Sequence, residues 1–183
     1  MIQLADRFAE PAPFHQPLNG LNPLSRSLGQ AYREWTFHGP MFQRVTSVIG
    51  LGADAIAGHL FSSTSVPVLT DVAQPRWIID PFIFDAALQL ILMWSRAQND
   101  LTALPSRFEL VRLYGLLSDR PVACYARIES RAGGYALNND IYFVDDAGLL
   151  LAMVKNIEAN CSAALNRLSA AESRSSEPDG QPA

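Results

Sequence analysis

The longest apolar run of the chain begins at Asp80-Pro81 and reads FIFDAALQLILMWSRAQ to about Gln98. An aspartate at a cap position, followed by proline where a missing N–H costs nothing, marks a helix start. Phe82, Ile83, Phe84, Leu88, Leu90, Ile91, Leu92, Met93 and Trp94 surround nearly the whole circumference of that helix. A helix apolar on all sides belongs inside a protein, so other elements must wrap it.

The flanking sequence supplies the wrapping. Arg44 to Leu51 and Ala55 to Ser62 have strand-like composition and are separated by Gly52-Ala53-Asp54, which predicts a hairpin. Beyond the helix, Arg107 to Tyr114, Pro121 to Ser130, Tyr135 to Val144 and Leu149 to Asn160 read as strands, punctuated by Gly115, Gly133-Gly134 and Asp145-Asp146-Ala147-Gly148. Turns this short favour antiparallel neighbours. The pattern predicts an α+β domain, an antiparallel sheet of about five or six strands wrapped around a long central helix. A short helix is expected over Pro23 to Arg33, with Asn22 as its cap.

The ends differ from the middle. Residues 1–22 carry Pro11, Pro13 and Pro17 with little periodicity and read as a proline-rich arm. The domain is expected over residues 23–162. Residues 163–183 form a tail whose last part, AAESRSSEPDGQPA, is too poor in apolar groups to offset its ordering entropy, and the tail is expected to be disordered.

Composition narrows the function. Hydrophobic residues make up 49% of the chain and charged residues 17%, as in ordinary globular proteins. Net charge is −4 with scattered Lys and Arg, so the chain lacks the basic footprint of a nucleic-acid binder. The two cysteines, Cys124 and Cys161, show no metal-ligand spacing, and no metal is expected. Met1 to Glu10 has no signal-peptide pattern, and no apolar stretch reaches the roughly 18 residues of a membrane span. The cytoplasm is the expected compartment.

Two constellations carry candidate chemistry. Asp85 and Gln89 interrupt the apolar helix four residues apart, on one face. A carboxyl within a wrapped helix loses hydration and is suited to general acid work, with Gln89 orienting it by a hydrogen bond. The competing reading has Asp85 capping local backbone and Gln89 facing solvent. The second constellation is Phe37-His38-Gly39-Pro40-Met41-Phe42, where glycine permits close backbone approach and proline fixes a turn, so that His38 either reaches a site or lies at the surface. His15 and His59 fall in the arm and in a strand, where structural or exposed roles are expected.

His38-Gly39-Pro40-Met41-Phe42-Gln43 resembles the Tyr/His-Gly-Pro-x-Phe segment of polyketide synthase dehydratase domains, and Asp85-Ala86-Ala87-Leu88-Gln89 resembles their Asp-x-x-x-Gln/His helix motif. Trp77 to Pro81, Leu104-Pro105 and Arg112-Leu113-Tyr114 extend the likeness over about residues 30–160. The resemblance is to the C-terminal half of the domain and implies a single hot-dog fold. In that family a double hot-dog removes water from a β-hydroxyacyl group carried on the phosphopantetheine arm of an acyl carrier protein. A histidine of the first hot-dog takes the α-proton, and an aspartate of the second helps the hydroxyl leave. By this likeness Asp85 is the acid and Gln89 its orienting partner. His38, Gly39 and Pro40 shape the substrate tunnel, while Phe42, Phe84 and Leu88 line or support an acyl channel. No cofactor of the chain's own is implied.

One departure matters. The dehydratase histidine lies in a His-x-x-x-Gly-x-x-x-x-Pro motif, which the sequence does not contain. The implied partners are therefore an acyl carrier protein and a second hot-dog domain, either in trans or in a homodimer. Two further readings stand beside the split dehydratase: a hot-dog acyl thioesterase homodimer, and a non-catalytic module that binds acyl chains or carrier protein.

Overall fold

The computed structural model describes residues 6–15, 20–62 and 77–168. In chain order the elements are α1 (Leu28–Trp35), β1 (Val45–Leu51), β2 (Ala55–Leu60), α2 (Pro81–Asn99), β3 (Thr102–Arg107), β4 (Leu110–Leu113), β5 (Val122–Arg131), β6 (Ala136–Val144) and β7 (Leu150–Ser162). All seven strands join one antiparallel sheet in the order β1-β2-β5-β6-β7-β3, with β4 also paired to β7.

The apolar helix forms where expected. Asp80 Oδ1 accepts from the Phe82 and Ile83 N–H groups at 2.9 and 3.1 Å, satisfying donors the first turn leaves open. Asp80 is 3% exposed, and its other oxygen accepts from Ser118 Oγ at 2.6 Å, so the cap is tied to the turn between β4 and β5. At the far end Asp100 takes a left-handed conformation, and the Trp94 indole N–H donates to the Gly52 carbonyl at 2.9 Å.

α2 lies in sequence between β2, next to the β1 edge of the sheet, and β3 at the other end of the strand order, and it packs against β1, β2, β3, β5 and α1. Ile83, Leu90, Met93 and Trp94 of the helix meet Ile56, Leu60, Cys124, Phe143, Val154 and Ile157 of the sheet in one core. Gly58 sets the approach. A Cβ there would lie 2.7 Å from the Ser47 carbonyl oxygen and 3.1 Å from the Leu90 side chain.

The structure differs from the sequence reading in four places. Strands number seven rather than five or six. The expected Arg107–Tyr114 strand is the end of β3 followed by a separate β4. Helix α1 starts later than Pro23: Ser27 caps it, its hydroxyl accepting from the Gln30 N–H while the Gln30 side chain accepts from the Ser27 N–H. This reciprocal box outweighs the proline, which lies ahead of the helix. Order also continues past residue 162, because Ala163–Asn166 forms a 3-10 turn whose Asn166 Oδ1 accepts from the Thr102 N–H and hydroxyl. The rest of the expected tail, from residue 169, lies outside the described residues.

The face of the sheet away from α2 carries a smaller apolar cluster of Tyr142, Val144 and Leu150 with Phe14, Tyr125 and Met153. Part of the proline-rich arm lies on it: Phe14 donates its N–H to the Gly148 carbonyl, Leu150 donates to the Ala12 carbonyl, and the Phe14 ring stacks 4.8 Å from Tyr125.

Candidate active site

Asp85 and Gln89 occupy successive turns of α2, as the four-residue spacing requires, and Gln89 Nε2 donates to Asp85 Oδ2 at 2.6 Å. Nε2 also donates to the Phe42 carbonyl at 2.9 Å, and Gln89 Oε1 accepts from the Tyr32 hydroxyl at 3.0 Å. Tyr32 in turn accepts from the Val45 N–H at 3.0 Å. Gln89 is 1% exposed, so these bonds replace water and fix the amide. A flipped amide would set its oxygen against two acceptors, the Phe42 carbonyl and the carboxylate. Burial pushes the Tyr32 phenol up to about 12, with the Val45 bond opposing and Asp85 adding to the rise, so Tyr32 keeps its proton and remains a donor to Gln89.

The turn after α1 delivers the imidazole. Phe42 N–H donates to the Gly39 carbonyl at 2.9 Å and Gln43 Nε2 to the His38 carbonyl at 2.8 Å, closing the segment. The His38 ring stacks on Phe37 with centroids 4.5 Å apart, and its Nε2 lies 3.5 Å from Asp85 Oδ2. His38, Asp85, Gln89 and the Phe42 backbone are thus brought together from two elements far apart in sequence.

The setting of the carboxyl is more open than the sequence suggested. The Asp85 side chain is 30% exposed and that of His38 14%. A gap in the wrapping at this end of α2 leaves the carboxylate facing polar partners and solvent rather than an apolar enclosure. Gly39 and Pro40 are exposed in the turn, and Phe42, also exposed, tilts against Phe82 with ring centroids 5.1 Å apart.

Phe84 and Leu88 lie on the neighbouring flank of α2. Phe84 meets Phe108 edge-on at 5.6 Å and stacks on Phe143 at 6.5 Å. Leu88 faces a cavity of about 10 Å³ with Ile91, Ala103 and Ile157, room for about one water and not for an acyl chain. These two support the helix; the structure does not bring them to the His38 turn.

Sequence reasoning missed Tyr32. Its signal was a phenol on the apolar face that Ala31, Tyr32 and Trp35 form on α1, since a buried tyrosine hydroxyl requires a partner. The described residues contain no group of three or more His, Cys, Asp or Glu side chains placed to hold a metal ion. What the arrangement can do is move a proton, with a carboxylate and an imidazole side by side and the carboxylate oriented by a locked amide.

Comparison with known proteins gives a family and a fold. The sequence pattern described as "Polyketide synthase dehydratase N-terminal domain" matches residues 16–168. The fold is similar to the dehydratase domain of PpsC from Mycobacterium tuberculosis, solved in complex with C12:1-CoA, at 19% identity and a TM-score of 0.62 over 82% of this chain and 56% of that one. It is also similar to the dehydratase domain from the CurJ module of curacin polyketide synthase, at 19% identity and a TM-score of 0.60 over 79% and 55%. The dehydratase domain of RzxB from Pseudomonas fluorescens gives 15% identity and a TM-score of 0.55 over 77% and 54%. The chain spans about half the length of these structures. No curated protein sequence matches it. The match is to an N-terminal domain, whereas the sequence reading of the His38 turn and the Asp85/Gln89 helix is of the C-terminal half.

Proposed function

The chain belongs to the polyketide synthase dehydratase family, and from that premise we propose that it contributes the Asp/Gln half of a β-hydroxyacyl-thioester dehydratase site. The observation that carries this reading is the Gln89 to Asp85 hydrogen bond of 2.6 Å on the central helix, with Gln89 itself held from three sides. A carboxyl so oriented presents a defined oxygen to a substrate hydroxyl, and positioned proton transfer of this kind contributes roughly 10²–10⁴-fold to rate. Because Asp85 and Gln89 follow the motif of the C-terminal half, that is the half we assign.

Dehydration needs a proton donor at the β-oxygen and a base at the α-carbon. Asp85 in its acid form supplies the donor. Gln89 orients the carboxyl, which keeps partial exposure beside the 38–43 turn, and the exposed Phe42 ring offers apolar surface for the acyl group there. The substrate arrives on the phosphopantetheine arm of an acyl carrier protein, and a second hot-dog domain, in trans or as a second copy, completes the pair. No helix among the described residues is long and apolar enough to cross a membrane.

The test uses a 3-hydroxyacyl pantetheine thioester, with formation of the conjugated enoyl thioester followed by absorbance. The chain is assayed alone and with a hot-dog domain bearing the His-x-x-x-Gly-x-x-x-x-Pro motif. Dehydration in either arm that falls about 100-fold or more in Asp85→Asn is the expected result. Equal rates for Asp85→Asn and the native chain, or thioester hydrolysis without dehydration, would sink the reading.

A further inference from the structure

Resting on the dehydratase reading, we propose that His38 is the base that takes the α-proton, so that this chain carries acid and base together in the His38–Asp85 pair. The sequence has three histidines and lacks the motif in which the family's base resides. Among the three, only His38 stands beside the carboxyl. His59 points its Nδ1 at Ser47 Oγ, 2.9 Å away on the β1–β2 hairpin, and His15 follows Phe14 in the arm on the opposite side of the sheet. His38 is held as a catalytic group needs to be: its carbonyl accepts from Gln43, its ring stacks on Phe37, and its Nε2 lies 3.5 Å from Asp85 Oδ2. Both side chains keep some exposure, 14% and 30%, so a substrate can approach them from the open side.

The chemistry closes without any further reactant. His38 Nε2 receives the α-hydrogen as a proton, and the C–H electron pair becomes the second bond between the α- and β-carbons. The β-carbon to oxygen bond breaks with its pair on oxygen, and the Asp85 carboxyl gives that oxygen its proton, so that water leaves. One proton has left Asp85 and one has arrived on His38. Transfer from Nε2 to Oδ2 across their direct contact restores the starting state.

The experiment runs the purified full chain, alone, on a 3-hydroxyacyl pantetheine thioester in D₂O, reading enoyl formation and deuterium uptake at the α-carbon. The native chain is expected to do both unaided. His38→Gln is expected to lose both by at least about 100-fold, with circular dichroism and melting confirming the fold, and His38→Ala to regain part of the rate with added imidazole. Asp85→Asn should lose dehydration. If His38→Gln stays within threefold of the native rate, or if activity appears only when a hot-dog domain with the histidine motif is added, the assignment of His38 is overturned while the dehydratase reading survives. Silence in both arms overturns the two together.

Discussion

Tyr32 carries more of the site than its distance from either motif suggests. Its hydroxyl bridges the Val45 backbone and the Gln89 amide, and both of those groups are buried. Tyr32→Phe leaves a backbone donor and an amide oxygen short of partners, which costs about 1–3 kcal/mol and frees Gln89 to rotate. Chemical denaturation is expected to show that loss, and dehydration should fall with it. The native chain should also lose stability as pH rises from about 10 through 12, because the unfolded phenol releases its proton while the folded one holds it. In Tyr32→Phe that part of the alkaline slope should be absent. At this scale the sequence revealed Asp85 and Gln89 through their isolation in an apolar helix, and the resemblance picked out His38. The direct His38–Asp85 contact was hidden, since it depends on how the 38–43 turn folds back onto α2, a matter of tertiary packing.

Among the elements, α2 was legible because its start signal, apolar circumference and length all agree. β3 was not. Its sequence, TALPSR, is short and contains Pro105, which reads as punctuation in a strand pattern. With β7 its one neighbour among the described strands, β3 lies at the sheet edge, where a proline can place its missing donor outward, so the strand tolerates it. α1 was misplaced because a proline was given more weight than the Ser27/Gln30 box. Asp80 is where an element-scale change should be felt most, being at once the cap of α2 and the acceptor for Ser118. Asp80→Ala is expected to destabilise by about 2 kcal/mol, and Ser118→Ala by less, read as shifts in urea midpoint. Equal stability for Asp80→Ala and the native chain would mean that the cap is replaced by solvent.

For the whole molecule, wrapping on one side of the sheet leaves the other side to be dealt with. Tyr125, Tyr142 and Met153 form an apolar patch there that α2 never touches, and the stretch Ala12–Phe14 lies over it, hydrogen-bonded beside the Asp145–Gly148 turn. The stretch read from the sequence as a proline-rich arm is thus in contact with the domain at this point. Deleting residues 1–15 is expected to leave the melting temperature of the core nearly unchanged and to raise the mass seen by light scattering, since an uncovered apolar patch invites association. A ragged amino terminus would therefore act like a missing lid on an adhesive surface, and batches clipped past Phe14 would clump while whole ones stayed clear.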